Sequence, residues 1–318
     1  MKPHVLIAVD AFTDEHINRI KAALGEWATC ERIPEETPSE AYQVALQQAH
    51  MVMGWPEPEW VVSSSVKFLQ LPSVGYDGYL GKGLEAKTPF ILCNATGVMG
   101  KQIAEHVAGM VFALTRRIGQ HVRDQQAGVW RQAAPYGEIN GATLCVVGLG
   151  DIGTEIVRWG LSVGMRVIGV RKDASKGHSL VERVYPIGEL KAAVAQADHV
   201  VSILPGGADT AQLYDADVFA HFKPGAYFYN VGRGRSVDES ALIAALQSGH
   251  LGGAGLDVFQ QEPLPVSSPF WQMNNVIITP HVAGRSVREF DRMCDLFVSN
   301  LAAYQRGERL RNVVLATA

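Results

Sequence analysis

A glycine-rich segment, GLGDIG, is the first part of the sequence whose residue types and spacing could do chemistry. Gly148, Gly150 and Gly153 form the pattern G-x-G-x-x-G between the apolar run TLCVVG and a helix-like stretch, with Asp151 and Ile152 inside the pattern. In such a turn the glycines allow a tight bend, close approach of the backbone to a pyrophosphate and close packing of helix on sheet. Glycine-rich turns also join elements that bind nothing. The flanking strand, helix and second strand therefore carry the prediction of a dinucleotide site.

The residue at the end of the next strand indicates which dinucleotide binds. The strand-like run RVIGV ends at Val170 and is followed by Arg171 and Lys172. NAD sites place an acid about 20 residues after the glycine turn to bind the ribose 2′-hydroxyl, whereas arginine accommodates a 2′-phosphate. A guanidinium would bind that phosphate and a carboxylate would repel it, so NADP(H) is favoured over NAD(H). The alternative is a solvated basic loop end, with Asp173 taking the place of the acid.

Three further polar residues lie in the second half of the chain. Arg233 in NVGRG and His281 in TPHVAG follow strand-like runs, and Glu262 lies just beyond a third run. Ligands of open α/β sheets bind at the carboxyl ends of the strands, so we expect these residues at the same sheet edge as the glycine turn. Taken singly, they could also be a surface arginine, a loop acid and a histidine that caps a strand.

The elements that must position these residues alternate along the chain. Strand-like runs in the first hundred residues are separated by helix-like stretches such as TDEHINRIKAALG, which opens on a Thr13 cap and ends at Gly25. The segment GVMGKQIAEHVAGMVFALTRRIGQHV is predicted as one long helix, and a second series of strands and helices and a final helix-like segment follow. This alternation predicts an α/β fold with largely parallel sheets.

Composition indicates a globular protein whose partners are small molecules or copies of itself. The chain has 318 residues, 47% hydrophobic and 19% charged, with a net charge of −4 and no long run of one sign, which disfavours nucleic acid and membrane surfaces. No segment resembles a signal peptide or holds about 18 uninterrupted apolar residues, so we expect a cytoplasmic protein with no membrane partner. Four scattered cysteines without a CxxC pair predict reduced thiols and no metal site.

The segments GLGDIG, SILP, NVGRG, GLDVFQQEPLP and TPHVAG, in this order and spacing, resemble the NAD(P)-dependent D-2-hydroxyacid dehydrogenase family over nearly the whole chain. The resemblance implies hydride transfer between NAD(P)H and a small 2-oxo acid, with Arg233, Glu262 and His281 as the catalytic set. Arg233 would hold the substrate carboxylate and polarise the carbonyl. His281 would exchange a proton with the carbonyl oxygen, and Glu262 would orient the histidine ring and favour its imidazolium form.

The same resemblance extends the site in both halves of the chain. It implies that Asp257 meets the nicotinamide carboxamide. In LPSVGYDGY, backbone N–H groups at Val74 and Gly75 would bind the substrate carboxylate, unless this segment is an ordinary strand-to-helix turn. Trp55 would wall the substrate pocket, or pack in the core. The other residues implied to line the cofactor cleft are Leu204, Pro205, Asn230, Val231 and Gly284.

The family architecture implies a Rossmann nucleotide-binding domain, residues 98–285, inserted into a flavodoxin-like α/β substrate domain made of residues 1–97 and 286–318. Hinges would fall near NATG and after TPHVAG, and closure would expel water from the reacting groups. A homodimer built around the nucleotide domain and its long helix is also implied.

A glyoxylate/hydroxypyruvate-type reductase is the favoured function, because reductases of these acids often use NADPH and a pocket walled by Trp55 suits a small substrate. The alternatives are a short phosphoglycerate dehydrogenase-like enzyme, a phosphite dehydrogenase, and a non-catalytic nucleotide-sensing protein like the corepressors of this fold. Formate oxidation is disfavoured because it has no hydroxyl proton for a Glu262-supported His281 to remove.

Overall fold

The computed structural model describes residues 2–34, 36–132 and 136–317. The chain divides into two compact units. Unit 1 comprises Met1–Met99 and Ser286–Ala318, and unit 2 comprises Gly100–Arg285. Relative to the division expected from the sequence, the first boundary is displaced by two residues and the second coincides.

The described residues form strands and α-helices in the alternation typical of α/β proteins. The strands are β1 (His4–Ala8), β2 (Thr29–Arg32), β3 (Met51–Gly54), β4 (Phe68–Gln70), β5 (Phe90–Cys93), β6 (Thr143–Val147), β7 (Arg166–Arg171), β8 (Val184–Pro186), β9 (His199–Ser202), β10 (Ala226–Asn230), β11 (Leu251–Leu256), β12 (Val276–Ile278) and β13 (Val313–Thr317). The α-helices are α1 (Asp14–Leu24), α2 (Ser39–Gln48), α3 (Pro58–Val62), α4 (Gly100–Thr115), α5 (Ile118–Gln126), α6 (Asp151–Ser162), α7 (Leu190–Val194), α8 (Ala216–Ala220), α9 (Glu239–Gln247) and α10 (Glu289–Gln305).

Unit 1 is a flavodoxin-like α/β unit. Its strands lie in the order β2-β1-β3-β4-β5-β13, and the first five are parallel. The order 2-1-3-4-5 is that of flavodoxin-like folds, so this prediction is confirmed. The edge strand β13 pairs antiparallel with β5 and was not predicted.

Both faces of the unit 1 sheet are covered, as the continuous apolar run of β1 requires. Val5 and Ile7 pack in a core with residues of α1 and α10, whereas Leu6 and Ala8, which point the other way, pack with residues of α2. The C-terminal helix is therefore part of the core of unit 1.

Unit 2 has the Rossmann topology. Its strands are all parallel and lie in the order β8-β7-β6-β9-β10-β11-β12. The first six reproduce the order 3-2-1-4-5-6, which reverses direction between β6 and β9. The loops that follow these two strands therefore meet where a dinucleotide binds in such sheets.

The prediction of a single long helix after residue 97 is wrong. Helix α4 ends at Thr115 and α5 begins at Ile118, and Arg117 between them has a left-handed backbone with φ of 54°. The apolar spacing continues through the break, so periodicity alone does not reveal it. No helix within the described ranges is long and apolar enough to span a membrane.

Candidate active site

In the glycine turn, the fold requires glycine at positions 148 and 153 but not at position 150. A Cβ on Gly148, whose φ is 110°, would lie 2.6 Å from the Ile203 carbonyl oxygen, and a Cβ on Gly153 would lie 2.0 Å from the Gly148 oxygen. Gly150 caps the N-terminus of α6 with φ of −90°, and its Cβ would meet nothing within 4 Å. The open space at Gly150 therefore fits close approach of a ligand phosphate to the backbone and helix N-terminus.

Arg171 is the last residue of β7, the position at which a Rossmann unit discriminates between the ribose 2′-hydroxyl and a 2′-phosphate. Its Nη1 donates to the Gly177 carbonyl at 2.9 Å. The Asp173 carboxylate accepts from the backbone and hydroxyl of Ser175, and these bonds lower the pKa of Asp173. Asp173 thus caps its own turn, which argues against its replacing the ribose-binding acid, and the arrangement fits a phosphorylated ribose.

Lys172 forms an exposed ion pair that was not predicted. Its Nζ lies 2.7 Å from Asp209 Oδ2, in the segment that follows β9. The hydrogen bond raises the pKa of Lys172 and lowers that of Asp209. Because β7 and β9 flank β6, the pair links the two segments on either side of the glycine turn.

A histidine missed by the sequence analysis connects the segment after β7 to the glycine turn. His178 Nε2 lies 3.1 Å from Thr154 Oγ1, whose hydroxyl donates to the Gly150 carbonyl at 2.7 Å. Because that hydroxyl proton is engaged, the histidine nitrogen must be the donor. Burial, followed by the nearby Arg171 and Arg158 charges, lowers the pKa of His178.

Glu262 and His281 are brought together at the carboxyl edge of the unit 2 sheet. His281 Nδ1 lies 2.7 Å from Glu262 Oε2, while Glu262 Oε1 accepts from the Phe259 backbone N–H at 2.9 Å. The His281 side chain is 54% exposed and the Glu262 side chain is 36% exposed. Because Nδ1 is bound to the carboxylate, Nε2 is the ring nitrogen available for proton exchange with a ligand.

The Arg233 turn follows β10 and is built by its neighbours. The buried Asn230 amide donates to the Arg233 carbonyl at 3.0 Å and accepts from the Gly232 N–H at 3.1 Å. A Cβ on Gly234 would lie 1.9 Å from the Phe259 carbonyl carbon, so the turn packs directly on the segment that holds Glu262. Asn230, expected in the cofactor cleft, thus supports the turn that presents Arg233. Gly232 and Gly234 on either side of Arg233 indicate this close packing in the sequence, but the prediction did not use them.

The other residues of unit 2 that were expected in the cofactor cleft follow neighbouring strands. Leu204 and Val231 are buried after β9 and β10, whereas Pro205 is exposed. Asp257, directly after β11, is 2% exposed and accepts from the backbone of the segment around His281. Gly284 lies in the same segment after β12 and is partly buried.

The predicted substrate loop of unit 1 follows β4 and is held by three side chains. Asn94 Nδ2 donates to the Val74 carbonyl at 2.8 Å, and the Ser73 hydroxyl donates to the Gly75 carbonyl at 2.8 Å. Trp55, after β3, donates through Nε1 to the Ser73 hydroxyl at 3.3 Å and is 43% exposed. Trp55 therefore adjoins the loop and is not a core residue, so the alternative of core packing is wrong.

A dinucleotide-type turn at the same sheet edge as an acid-supported histidine defines a class of protein, the α/β oxidoreductases. The model of the NAD-binding domain of the D-isomer specific 2-hydroxyacid dehydrogenases matches residues 108–283. Glyoxylate/hydroxypyruvate reductase B of Citrobacter koseri is 31% identical to the chain, covering 99% of it and 98% of the relative. The chain belongs to the D-isomer specific 2-hydroxyacid dehydrogenase family, oxidoreductases that act on CH–OH groups.

Solved structures agree over the full length. A D-isomer specific 2-hydroxyacid dehydrogenase family protein of Aeromonas salmonicida is 31% identical with a TM-score of 0.85, covering 99% of both chains. An NADPH-dependent glyoxylate/hydroxypyruvate reductase of Sinorhizobium meliloti, in complex with NADP and malonate, is 28% identical with a TM-score of 0.78, covering 99% of this chain and 97% of that one. The family and the α/β fold expected from the sequence are thus confirmed.

Proposed function

We propose that the protein is an NADPH-dependent reductase of small 2-oxo acids, of the glyoxylate/hydroxypyruvate type. The observation that carries the proposal is the bond between His281 Nδ1 and Glu262 Oε2, 2.7 Å long, at the same sheet edge as the glycine turn. It supplies an oriented proton donor where the family transfers hydride. The names of the relatives in Citrobacter koseri and Sinorhizobium meliloti support the substrate class.

When bound, the reduced nicotinamide supplies the hydride that adds to the carbonyl carbon. His281 gives the Nε2 proton to the carbonyl oxygen, so the 2-oxo acid becomes a 2-hydroxy acid. Glu262, held by the Phe259 N–H, fixes the orientation of the His281 ring through Nδ1. Arg233 offers its planar guanidinium to the carboxylate and carbonyl, where its charge stabilises the oxygen that becomes negative.

The NADP(H) preference rests on Arg171 at the end of β7 and on the engagement of Asp173 in its own turn. The Arg171 guanidinium retains donors beyond the one bound to Gly177, and these suit a phosphate dianion. Consistent with this, relatives of known structure include two Sinorhizobium meliloti reductases named as NADPH-dependent.

The substrate and cofactor are tested together by comparing kcat/KM for glyoxylate, hydroxypyruvate, pyruvate and 3-phosphohydroxypyruvate, each with NADPH and NADH. We expect the highest value with glyoxylate or hydroxypyruvate and NADPH. A preference for 3-phosphohydroxypyruvate would support a phosphoglycerate dehydrogenase. Tight NADPH binding without any turnover would contradict the reductase proposal and favour a nucleotide sensor.

The charge mechanism is tested with Arg171→Asp. We expect the NADPH-to-NADH preference to fall about tenfold or more, which corresponds to about 1.4 kcal/mol. Arg166→Asp is the matched control, because Arg166 lies at the opposite end of the same strand in an exposed pair with Glu182. An unchanged preference in Arg171→Asp would remove the basis for the NADP(H) assignment.

Unit 1 is proposed as the substrate domain. The tethered carbonyls of Val74 and Gly75 keep the loop in one conformation, which favours capture of a carboxylate by its N–H groups. Trp55 beside the loop would restrict the size of the side chain on the 2-oxo acid. Trp55→Ala is expected to improve kcat/KM for bulkier 2-oxo acids relative to glyoxylate.

A homodimer is proposed because unit 2 exposes several large apolar side chains on one stretch of chain. Phe112 on α4, Ile118 and Val122 on α5, and Trp130 beyond α5 are exposed, and Trp130 is 91% exposed. Exposed apolar groups in such number mark interaction surfaces. Light scattering should give twice the chain mass of 34.5 kDa. Trp130→Ser is expected to weaken association, whereas Trp271→Ser serves as a control.

A cytoplasmic location is also proposed. Cys30, Cys93, Cys145 and Cys294 are free thiols, and burial raises the pKa of Cys145 to about 12. Unbridged cysteines are typical of reducing compartments.

A further inference from the structure

His281 has an unusual backbone for a residue with a side chain. Its φ is 56°, in the left-handed region, which costs a non-glycine residue about 1–3 kcal/mol and persists only where the surroundings impose it. The His281 N–H donates to the Asp257 carbonyl at 2.9 Å and to the Thr279 carbonyl at 3.1 Å. The conformation that presents the ring is therefore imposed from the ends of β11 and β12.

The buried Asp257 carboxylate fastens the chain on both sides of His281. Its Oδ1 accepts from the Val282 N–H at 2.9 Å and from the Thr279 hydroxyl at 2.6 Å, and its Oδ2 accepts from the Ala283 N–H at 3.0 Å. Charge-assisted bonds of this kind are the strong ones, and a buried carboxylate that loses a donor is destabilised. The position of His281 thus depends on how fully Asp257 is bonded.

Thr279 receives a second partner from a distant part of unit 2. His106 on α4 places Nε2 3.0 Å from Thr279 Oγ1 and 3.8 Å from Asp257 Oδ1. Because the Thr279 proton is donated to Asp257, the His106 nitrogen must donate to Thr279, so His106 carries a proton on Nε2. Hydrogen bonds are therefore donated in one direction, from His106 to Thr279 and from Thr279 to Asp257, next to the segment that carries His281.

We propose that Thr279 and His106 are positioning residues, which act through Asp257 to hold His281 in its left-handed conformation. The inference rests on the proposed function, because it assigns His281 as the proton donor. The Thr279 hydroxyl accepts from His106 Nε2 and donates to Asp257, so loss of either group is expected to affect the transfer step more than cofactor binding.

The central test compares Thr279→Val, which removes the hydroxyl at nearly constant shape, with Thr279→Ser, which keeps it. We expect kcat to fall roughly 10- to 100-fold in Thr279→Val, on the scale of a slightly misplaced catalytic group, while the Kd for NADPH stays within about threefold. Thr279→Ser should retain most of the activity. Thr115→Val is the matched control, because the buried Thr115 hydroxyl, on the same helix as His106, has no hydrogen-bond partner among the described residues.

Full kcat in Thr279→Val would overturn the proposal. A rise in the Kd for NADPH as large as the fall in kcat would also overturn it. If Thr279→Val does not fold, the pair His106→Gln and His106→Leu decides. The amide of Gln can still donate to Thr279, so His106→Gln should exceed His106→Leu in kcat, and equal values would overturn the proposal.

A second readout needs no turnover and therefore separates this inference from the proposed function. In protein labelled with 15N-histidine, the His281 ring signal, assigned with His281→Gln, reports the Nδ1 bond to Glu262. We expect this signal to shift or broaden in Thr279→Val and to be retained in Thr279→Ser and Thr115→Val. An unchanged signal in Thr279→Val would refute positioning whether or not the wild type reduces 2-oxo acids.

Discussion

Gly150→Ala should separate cofactor binding from folding. The added Cβ would meet no protein atom within 4 Å, and φ of −90° with ψ of −157° is open to alanine. Replacing glycine restricts the unfolded chain, which stabilises by about 0.4–1 kcal/mol. Alanine is a poorer N-cap than glycine, at a cost of up to about 1 kcal/mol. The two effects nearly cancel, so we expect the free energy of unfolding to change by less than about 1 kcal/mol.

Cofactor binding should respond very differently. The methyl group would occupy the space through which a pyrophosphate approaches the start of α6, so we expect the Kd for NADPH to rise at least about tenfold, or 1.4 kcal/mol. Fluorescence titration measures the Kd, and urea unfolding measures the stability. Wild-type NADPH affinity in a folded Gly150→Ala would refute the assignment of this turn to the pyrophosphate.

Two other glycines provide controls. A Cβ at Gly188 would also meet nothing within 4 Å, so Gly188→Ala should change neither the fold nor the NADPH affinity. A Cβ at Gly153 would lie 2.0 Å from the Gly148 oxygen, so Gly153→Ala should destabilise the fold itself by about 1–3 kcal/mol or more.

Three further outcomes are expected. Burial lowers the pKa of His199 from 6.5 to about 4, so the unfolded chain takes up this proton first, and stability is lost as pH falls from about 6.5 toward 4. Between pH 6.5 and 5 the wild type should lose about 1.6 kcal/mol more unfolding free energy than His199→Phe, and equal losses would contradict the pKa. Asn300→Ala removes a buried donor to the Gln70 amide oxygen, so urea unfolding should show a loss of about 1–3 kcal/mol. Asp209→Asn frees Lys172 from its surface ion pair, so that the ammonium group can bind the 2′-phosphate of NADPH. The Kd for NADPH should then fall about two- to fivefold at low salt, while the Kd for NADH stays constant. Weaker NADPH binding would contradict a role of Lys172 in binding the 2′-phosphate.

Local patterns predicted the dinucleotide-binding half of the site. Each glycine of the turn stands between an apolar strand and an amphipathic helix, and Gly148 and Gly153 are glycines because neighbouring backbone leaves no room for a Cβ. The positions of Arg233 and His281 after strands follow from the same alternation, because parallel strands share one carboxyl edge.

The contacts between residues that are distant in sequence could not be predicted from local patterns. His106 and Thr279 are 173 residues apart and meet only because α4 packs beside the end of β12. The left-handed Arg117 interrupts a helix without interrupting its apolar pattern. Strand β13 has no local partner, and its pairing with β5 depends on contacts across more than 200 residues of sequence.

The discontinuity of unit 1 has a consequence for biosynthesis. On the ribosome, residues 100–285 emerge as one continuous stretch and can complete their core while synthesis continues. Residues 1–99 must wait, because α10, with Met293, Phe297 and Leu301 in the unit 1 core, and the edge strand β13 are translated only after residues 100–285. Until then α10, one of the two helices that cover the same face of the nascent sheet, is missing, so chaperone dependence should be concentrated in residues 1–99 and end when residues 286–318 have emerged.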